Sequence, residues 1–87
     1  MSTAKETLLH EIDAVKQKRD ELRVQLHLAS SEVKDTWDKL ESKWLELEDK
    51  AKQVAAATEH SAHEVADAAR LLLTELRDGY QSIKHSA

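Results

Sequence analysis

Residues 33–54 read VKDTWDKLESKWLELEDKAKQV, and their apolar side chains recur in alternating steps of four and three residues. This spacing is the a/d pattern of a heptad, in which one narrow apolar seam runs along a helix. A similar pattern continues upstream to Leu8 and downstream to Ile83, with a four-residue stutter at Val33. The sequence therefore predicts an all-α protein held together by helix association, with the antiparallel coiled coil as the expected form.

The composition supports the all-α prediction. The chain has no Pro, no Asn and a single Gly, whereas a sheet protein needs residues of these types in its turns. It has no Cys, which excludes disulfides, thiolate metal sites and thiol nucleophiles. Acidic and basic residues (17 and 13) are interspersed and give a net charge of −4, which argues against a nucleic-acid partner. We find neither a signal-like N-terminus nor a membrane-spanning apolar run, so we expect a cytoplasmic protein.

We expect one helical domain over residues 1–87, with helix 1 at about 3–57, a turn at about 57–61 and helix 2 at about 61–85. Thr58 and Ser61 place polar groups at successive seam positions, and Ser61 followed by Glu64 fits a capping box. A second break at Ser30-Ser31 would instead give a three-helix bundle. We favour the single break, because the seam crosses both serines in phase and neither has an acidic residue three positions later.

An unequal hairpin of this kind places Trp37 near Tyr80 and leaves the seam from Leu8 to Ala29 without an intramolecular partner. An uncovered seam of that length predicts a second chain. We therefore expect a homo-oligomer, a four-helix-like assembly, with another protein bound through a helical seam as the further candidate partner. The predicted interface comprises Leu8, Ile12, Val15, Leu22, Leu26, Trp37, Trp44, Leu71, Leu72, Leu73 and Leu76.

The histidines provide the only candidate metal site. His60 and Glu64 are four residues apart, as are His63 and Asp67, which is a spacing that lets two side chains share one ion. Two ligands from one chain rarely complete a tetrahedral site, so a solvated turn is the favoured interpretation. The pattern indicates no catalytic residue, no cofactor and no metal.

Three seam residues have a structural interpretation. Trp37 and Trp44 lie seven residues apart on one helix face, where bulky core packing is favoured over a ligand-binding or membrane-interface pair. Arg19 also occupies a seam position, and a lone polar residue there often fixes register or orientation.

Two segments resemble known helical proteins. Residues 72–84 (LLTELRDGYQSIK) and 37–41 (WDKLE) resemble segments of small bacterial helical proteins without an assigned function. More loosely, the chain is similar to phasin-like and apolipoprotein-like helix repeats. The resemblance implies an amphipathic helical protein and assigns no catalytic residue.

These observations predict a non-catalytic scaffold or adaptor that acts through self-association and helix-mediated protein binding. The alternative is a protein that opens and lays its apolar faces on a lipid or granule surface. Net acidic polar faces and only three aromatic residues argue against that alternative.

Overall fold

The computed structural model describes residues 4–58 and 61–86, and within them the chain forms three α-helices and no strand. The elements are α1 (Ala4–Gln25), a 3-10 turn (Leu26–Leu28), α2 (Ser31–Ala56) and α3 (Ala62–Ser86). The all-α prediction is confirmed.

The helices lie side by side in an up-down-up bundle. Ala4, Val54 and Ala62 meet at one end, whereas Leu22 of α1 and Tyr80 of α3 meet near the other. Hence α1 and α3 are parallel and α2 runs against both. The described chain measures 44 × 23 × 16 Å. An uninterrupted helix over residues 3–57 would be about 80 Å long at 1.5 Å per residue and cannot fit this length.

The prediction that helix 1 continues through Ser30-Ser31 is wrong. The chain tightens into the 3-10 turn, Ala29 is extended (ψ 156°), and the Ser30 hydroxyl accepts a hydrogen bond from the Val33 amide at 3.3 Å. A serine N-cap needs only this one bond, so the missing acidic residue three positions later does not prevent a new helix. The three-helix alternative describes the fold.

The predicted turn at about 57–61 falls between α2, which ends at Ala56, and α3, which begins at Ala62, and its residues 59 and 60 lie outside the described residues. The capping next to it differs from the expected form. The Thr58 hydroxyl accepts from the Ser61 amide at 3.2 Å, and the Ser61 hydroxyl accepts from the Thr58 amide at 3.1 Å. Ser61 therefore forms its capping hydrogen bonds with Thr58 and not with Glu64. The reciprocal pair satisfies two amides that precede α3, which is the function of a capping box.

The core runs the length of the bundle and takes side chains from all three helices. Leu8 and Val15 of α1 are each 1% exposed, so their seam is covered within the chain. The expectation of an uncovered seam is wrong, because the break at Ser30 folds α1 back onto the other helices. The buried side chains are Leu8, Ile12, Val15, Leu22, Trp37, Leu40, Trp44, Leu47, Val54, Ala62, Ala66, Ala69, Leu73, Leu76, Tyr80 and Ile83.

Trp37 of α2 lies beside Tyr80 of α3, as predicted. The ring centroids of Trp37 and Tyr80 lie 5.7 Å apart, a separation typical of aromatic pairs. Leu40 packs against Gly79 so closely that a Cβ at Gly79 would lie 2.8 Å from Leu40 Cδ1. Because Gly79 has no side chain, the side chain of Leu40 fills the space where a Cβ on α3 would lie.

Candidate functional site

A partly buried polar cluster lies where α1 faces α2. Arg19 donates from Nε to Oε1 of Glu41 at 2.6 Å and from Nη2 to Oε2 at 2.8 Å. This two-pronged geometry is the strongest form of an arginine–carboxylate pair. The guanidinium also lies 5.5 Å from the ring centroid of Trp44 and donates to Asp20 at 3.2 Å. The polar seam residue is therefore neutralised, hydrogen-bonded and stacked inside the bundle.

The electrostatics of this cluster keep its charges fixed. The hydrogen bonds that Arg19 donates to Glu41 raise the pKa of Arg19 above its ordinary value, although partial burial works in the opposite direction. Arginine is already charged at every physiological pH. The pair is therefore suited to holding α1 against α2 and not to proton transfer.

Tyr80 contributes a polar atom without a partner beside this cluster. Its side chain is 1% exposed, and its hydroxyl makes no hydrogen bond within the described residues. Burial raises the pKa of Tyr80 well above its ordinary value, and the Glu41 carboxylate adds to the rise while Arg19 opposes it. The phenol is therefore neutral in the folded protein near neutral pH, and the orphaned hydroxyl costs stability.

Two lysines join helices at other points of the bundle. Lys5 donates to the backbone carbonyl of Ala57 at 2.7 Å, which places a cation on the C-terminal end of α2. Lys43 of α2 pairs with Glu75 of α3, and that hydrogen bond raises the pKa of Lys43. Both side chains of this second pair are about two-fifths exposed, so the pair adds little to stability.

A cleft of about 460 Å³ opens between α1 and α3 next to Tyr80. Its floor is formed by Leu22 and Tyr80, and exposed polar side chains surround it. The lining residues are Lys18, Glu21, Leu22, Gln25, Tyr80, Gln81, Lys84 and His85.

The candidate metal ligands are not brought together. His63, Glu64 and Asp67 are exposed on α3, and Asp67 lies 3.8 Å from Arg70. His60 lies outside the described residues. Nowhere in residues 4–58 and 61–86 do three or more His, Asp or Glu side chains converge as metal ligands.

The residues predicted to form an interface are distributed between core and surface. Most of them are buried inside the single chain, and Leu26 and Leu72 are partly buried. Leu71 alone points outward, at 64% exposure. Helix α3 packs against both α1 and α2. Its core leucines, Leu73 and Leu76, are therefore covered without a second copy of the chain. Whether copies associate through other surfaces stays a prediction.

Sequence reasoning located Arg19 but missed its partner. Glu41 was one of many acids on polar helix faces, and its position beside the seam residues Leu40 and Trp44 was the available signal. The Tyr80 hydroxyl and the cleft depend on how α1 packs on α3. The apolar pattern within a single helix therefore could not predict the cleft or the buried Tyr80 hydroxyl.

The described helices include none that is long and apolar enough to cross a bilayer. No protein-family model matches the chain, and no curated protein or solved structure is significantly similar to it. The resemblance to phasin-like and apolipoprotein-like helices and the cytoplasmic location stay predictions.

Proposed function

We propose that the protein is a non-catalytic helical adaptor that binds another protein through the outer faces of its bundle. The observation that carries this proposal is a pair of large aliphatic side chains near the end of α1. Val24 is 72% exposed and Leu28 is 81% exposed, four residues apart in sequence. Leu45 and Leu71 are exposed by 62% and 64% on the other two helices.

A single exposed leucine on a soluble protein is ordinary. Val24 on the last turn of α1 and Leu28 on the 3-10 turn that follows are different, because they are two bulky exposed side chains four residues apart, a spacing that recognition helices use for their anchors. The bundle closes its core without them, so they remain available to a partner. The chemically capable side chains of the interior, Arg19 and Glu41, are engaged with each other, which favours binding over catalysis.

Self-association was predicted from the α1 seam, and that support is lost because the seam is buried within one chain. A second copy could still bind through Val24 and Leu28. The adaptor proposal therefore names a protein partner, and one experiment distinguishes a different protein from a second copy.

The experiment places a photoreactive amino acid at Leu28 and, as a control, at Gln17, an exposed polar position on α1. After irradiation in the cells that make the protein, we expect a discrete protein adduct from position 28 and none from position 17. Adducts to the protein's own chain would show self-association instead. Equal labelling at both positions, or none, would contradict the proposal. Co-flotation with vesicles would then favour the lipid-surface alternative.

A further inference from the structure

The cleft between α1 and α3 has the size and chemistry of a ligand site. Its volume of about 460 Å³ lies within the range typical of small-molecule pockets. Leu22 and Tyr80 form an apolar floor and are 9% and 1% exposed. An apolar floor beneath an open polar rim suits a molecule with one apolar side and one polar end.

The charged side chains around the cleft favour a negatively charged ligand. Lys18 and Lys84 approach from α1 and α3, and neither takes part in any ion pair found within residues 4–58 and 61–86. Gln25 and Gln81 add amide donors beside them, and Glu21 is the one carboxylate in the lining. Two ammonium groups against one carboxylate leave the rim net positive. This local sign is opposite to the net charge of −4 on the whole chain.

We propose that this cleft binds a small amphiphilic carboxylate, with its head between Lys18 and Lys84 and its apolar body over Leu22 and Tyr80. The head gains charge-assisted hydrogen bonds from two ammonium donors. The body removes its own apolar surface from water by packing on a floor that is already almost fully buried. An inorganic anion makes only the first set of contacts, and an amphiphilic cation is repelled by the lysines. This activity is separate from protein binding at Leu28, which does not line the cleft.

Decanoate is the probe that tests the proposal, and two of the protein's own features report on it. Trp37 lies 5.7 Å from the Tyr80 ring, so its fluorescence senses the cleft floor. The backbone amide signals of Gln81 and Lys84 in an NMR spectrum locate the site. We expect saturable shifts with decanoate, and none over the same concentrations with acetate or decyltrimethylammonium. Circular dichroism must show unchanged helicity at saturation.

Charge variants make the test specific. Replacing both Lys18 and Lys84 by Gln should weaken decanoate binding about tenfold, because each exposed ion pair contributes up to about fivefold. Glu21→Gln should tighten binding about two- to threefold by removing the opposing charge. The control replaces Lys39 and Lys52 of α2 by Gln, which changes net charge equally and should leave the affinity unaltered.

Three outcomes would overturn the site. They are an absence of saturable shifts, equal weakening by the control, and a loss of helicity that accompanies the signal. Failure here leaves the photo-crosslinking result at Leu28 unaffected, because the two surfaces are different.

Discussion

Replacing one or both members of the Arg19–Glu41 pair gives the most informative perturbation of the bundle. Arg19 is 14% exposed and Glu41 is 29% exposed, so the pair is mostly, but not completely, withdrawn from water. Arg19→Met retains the aliphatic stem without the charge, and Glu41→Leu retains a similar volume. The two single variants and the double variant form a double-mutant cycle with the natural protein. We expect each of the three variants to have a different free energy of unfolding.

Glu41→Leu should be the more damaging single change, because it leaves the guanidinium in the bundle with only Asp20 at 3.2 Å. Breaking a fully buried pair costs about 3–5 kcal/mol, and partial exposure lowers this to about 2 kcal/mol. Arg19→Met should cost about 1 kcal/mol, since the Glu41 carboxylate can turn toward water and the contact with Trp44 is lost. The double variant should lie within about 1 kcal/mol of the natural protein, because apolar residues of similar volume replace a buried pair well.

Urea unfolding and thermal unfolding, each followed by circular dichroism, measure all four corners of the cycle. We expect the midpoint temperature of Glu41→Leu to fall by about 8–16 °C, since 1 kcal/mol moves a domain of this size by about 4–8 °C. Additive losses in the double variant would show that the two side chains contribute to stability independently. A neutral Glu41→Leu variant would refute the reasoning, because it would show the pair to be a solvated surface contact.

Three further predictions concern the caps and the core. Ser30→Ala should cost about 1 kcal/mol by removing the N-cap of α2, whereas the adjacent control Ser31→Ala should be nearly neutral in the same urea titration. Tyr80→Phe should stabilise the bundle by about 1 kcal/mol, because it removes a buried hydroxyl without a partner, and a less stable variant would show that the hydroxyl is satisfied. The raised pKa of Tyr80 also means that the unfolded chain releases the phenolic proton first as pH rises. Stability should therefore fall above about pH 10 by up to about 1.4 kcal/mol per pH unit, a decline that the Phe variant lacks and that phenolate absorbance follows. Gly79→Ala should destabilise by about 1 kcal/mol, since the clash with Leu40 outweighs the gain in helix propensity; in a Leu40→Ala background the same change should become stabilising.

The heptad pattern predicted most of the core residues, because burial of a seam is a local property of each helix. Trp37, Trp44 and Tyr80 occupy the core, with Trp37 beside Tyr80 as predicted, and the turn after Ala57 lies where polar residues interrupt the seam. The pattern could not show whether the serines between the seam residues Ala29 and Val33 continue a helix or cap a new one. At Ser30 the difference is one hydrogen bond and one extended residue.

The single glycine and the absence of asparagine were also a poor guide to the number of turns. Ala29 and Ala57 end their helices with ψ of 156° and 157°, and no described residue takes a positive φ. Turns of this kind need no glycine, since extended backbone is open to any residue. The candidate sites were less predictable. The Arg19–Glu41 pair and the cleft above Tyr80 depend on the packing of α1, which followed from the break at Ser30.

One chain closes its own core, and the proposed adaptor function depends on this. Spin labels at His10 of α1 and Lys52 of α2, both exposed, test this directly. The bundle predicts a separation below about 30 Å, since neighbouring helices pack 8–10 Å apart and the labels add their own length. This distance should persist when labelled protein is diluted with unlabelled protein. A distance near 63 Å, expected for about 42 residues of unbroken helix at 1.5 Å each, would contradict the account. A short distance that disappears on dilution would do the same, because it would show that another chain covers the seam.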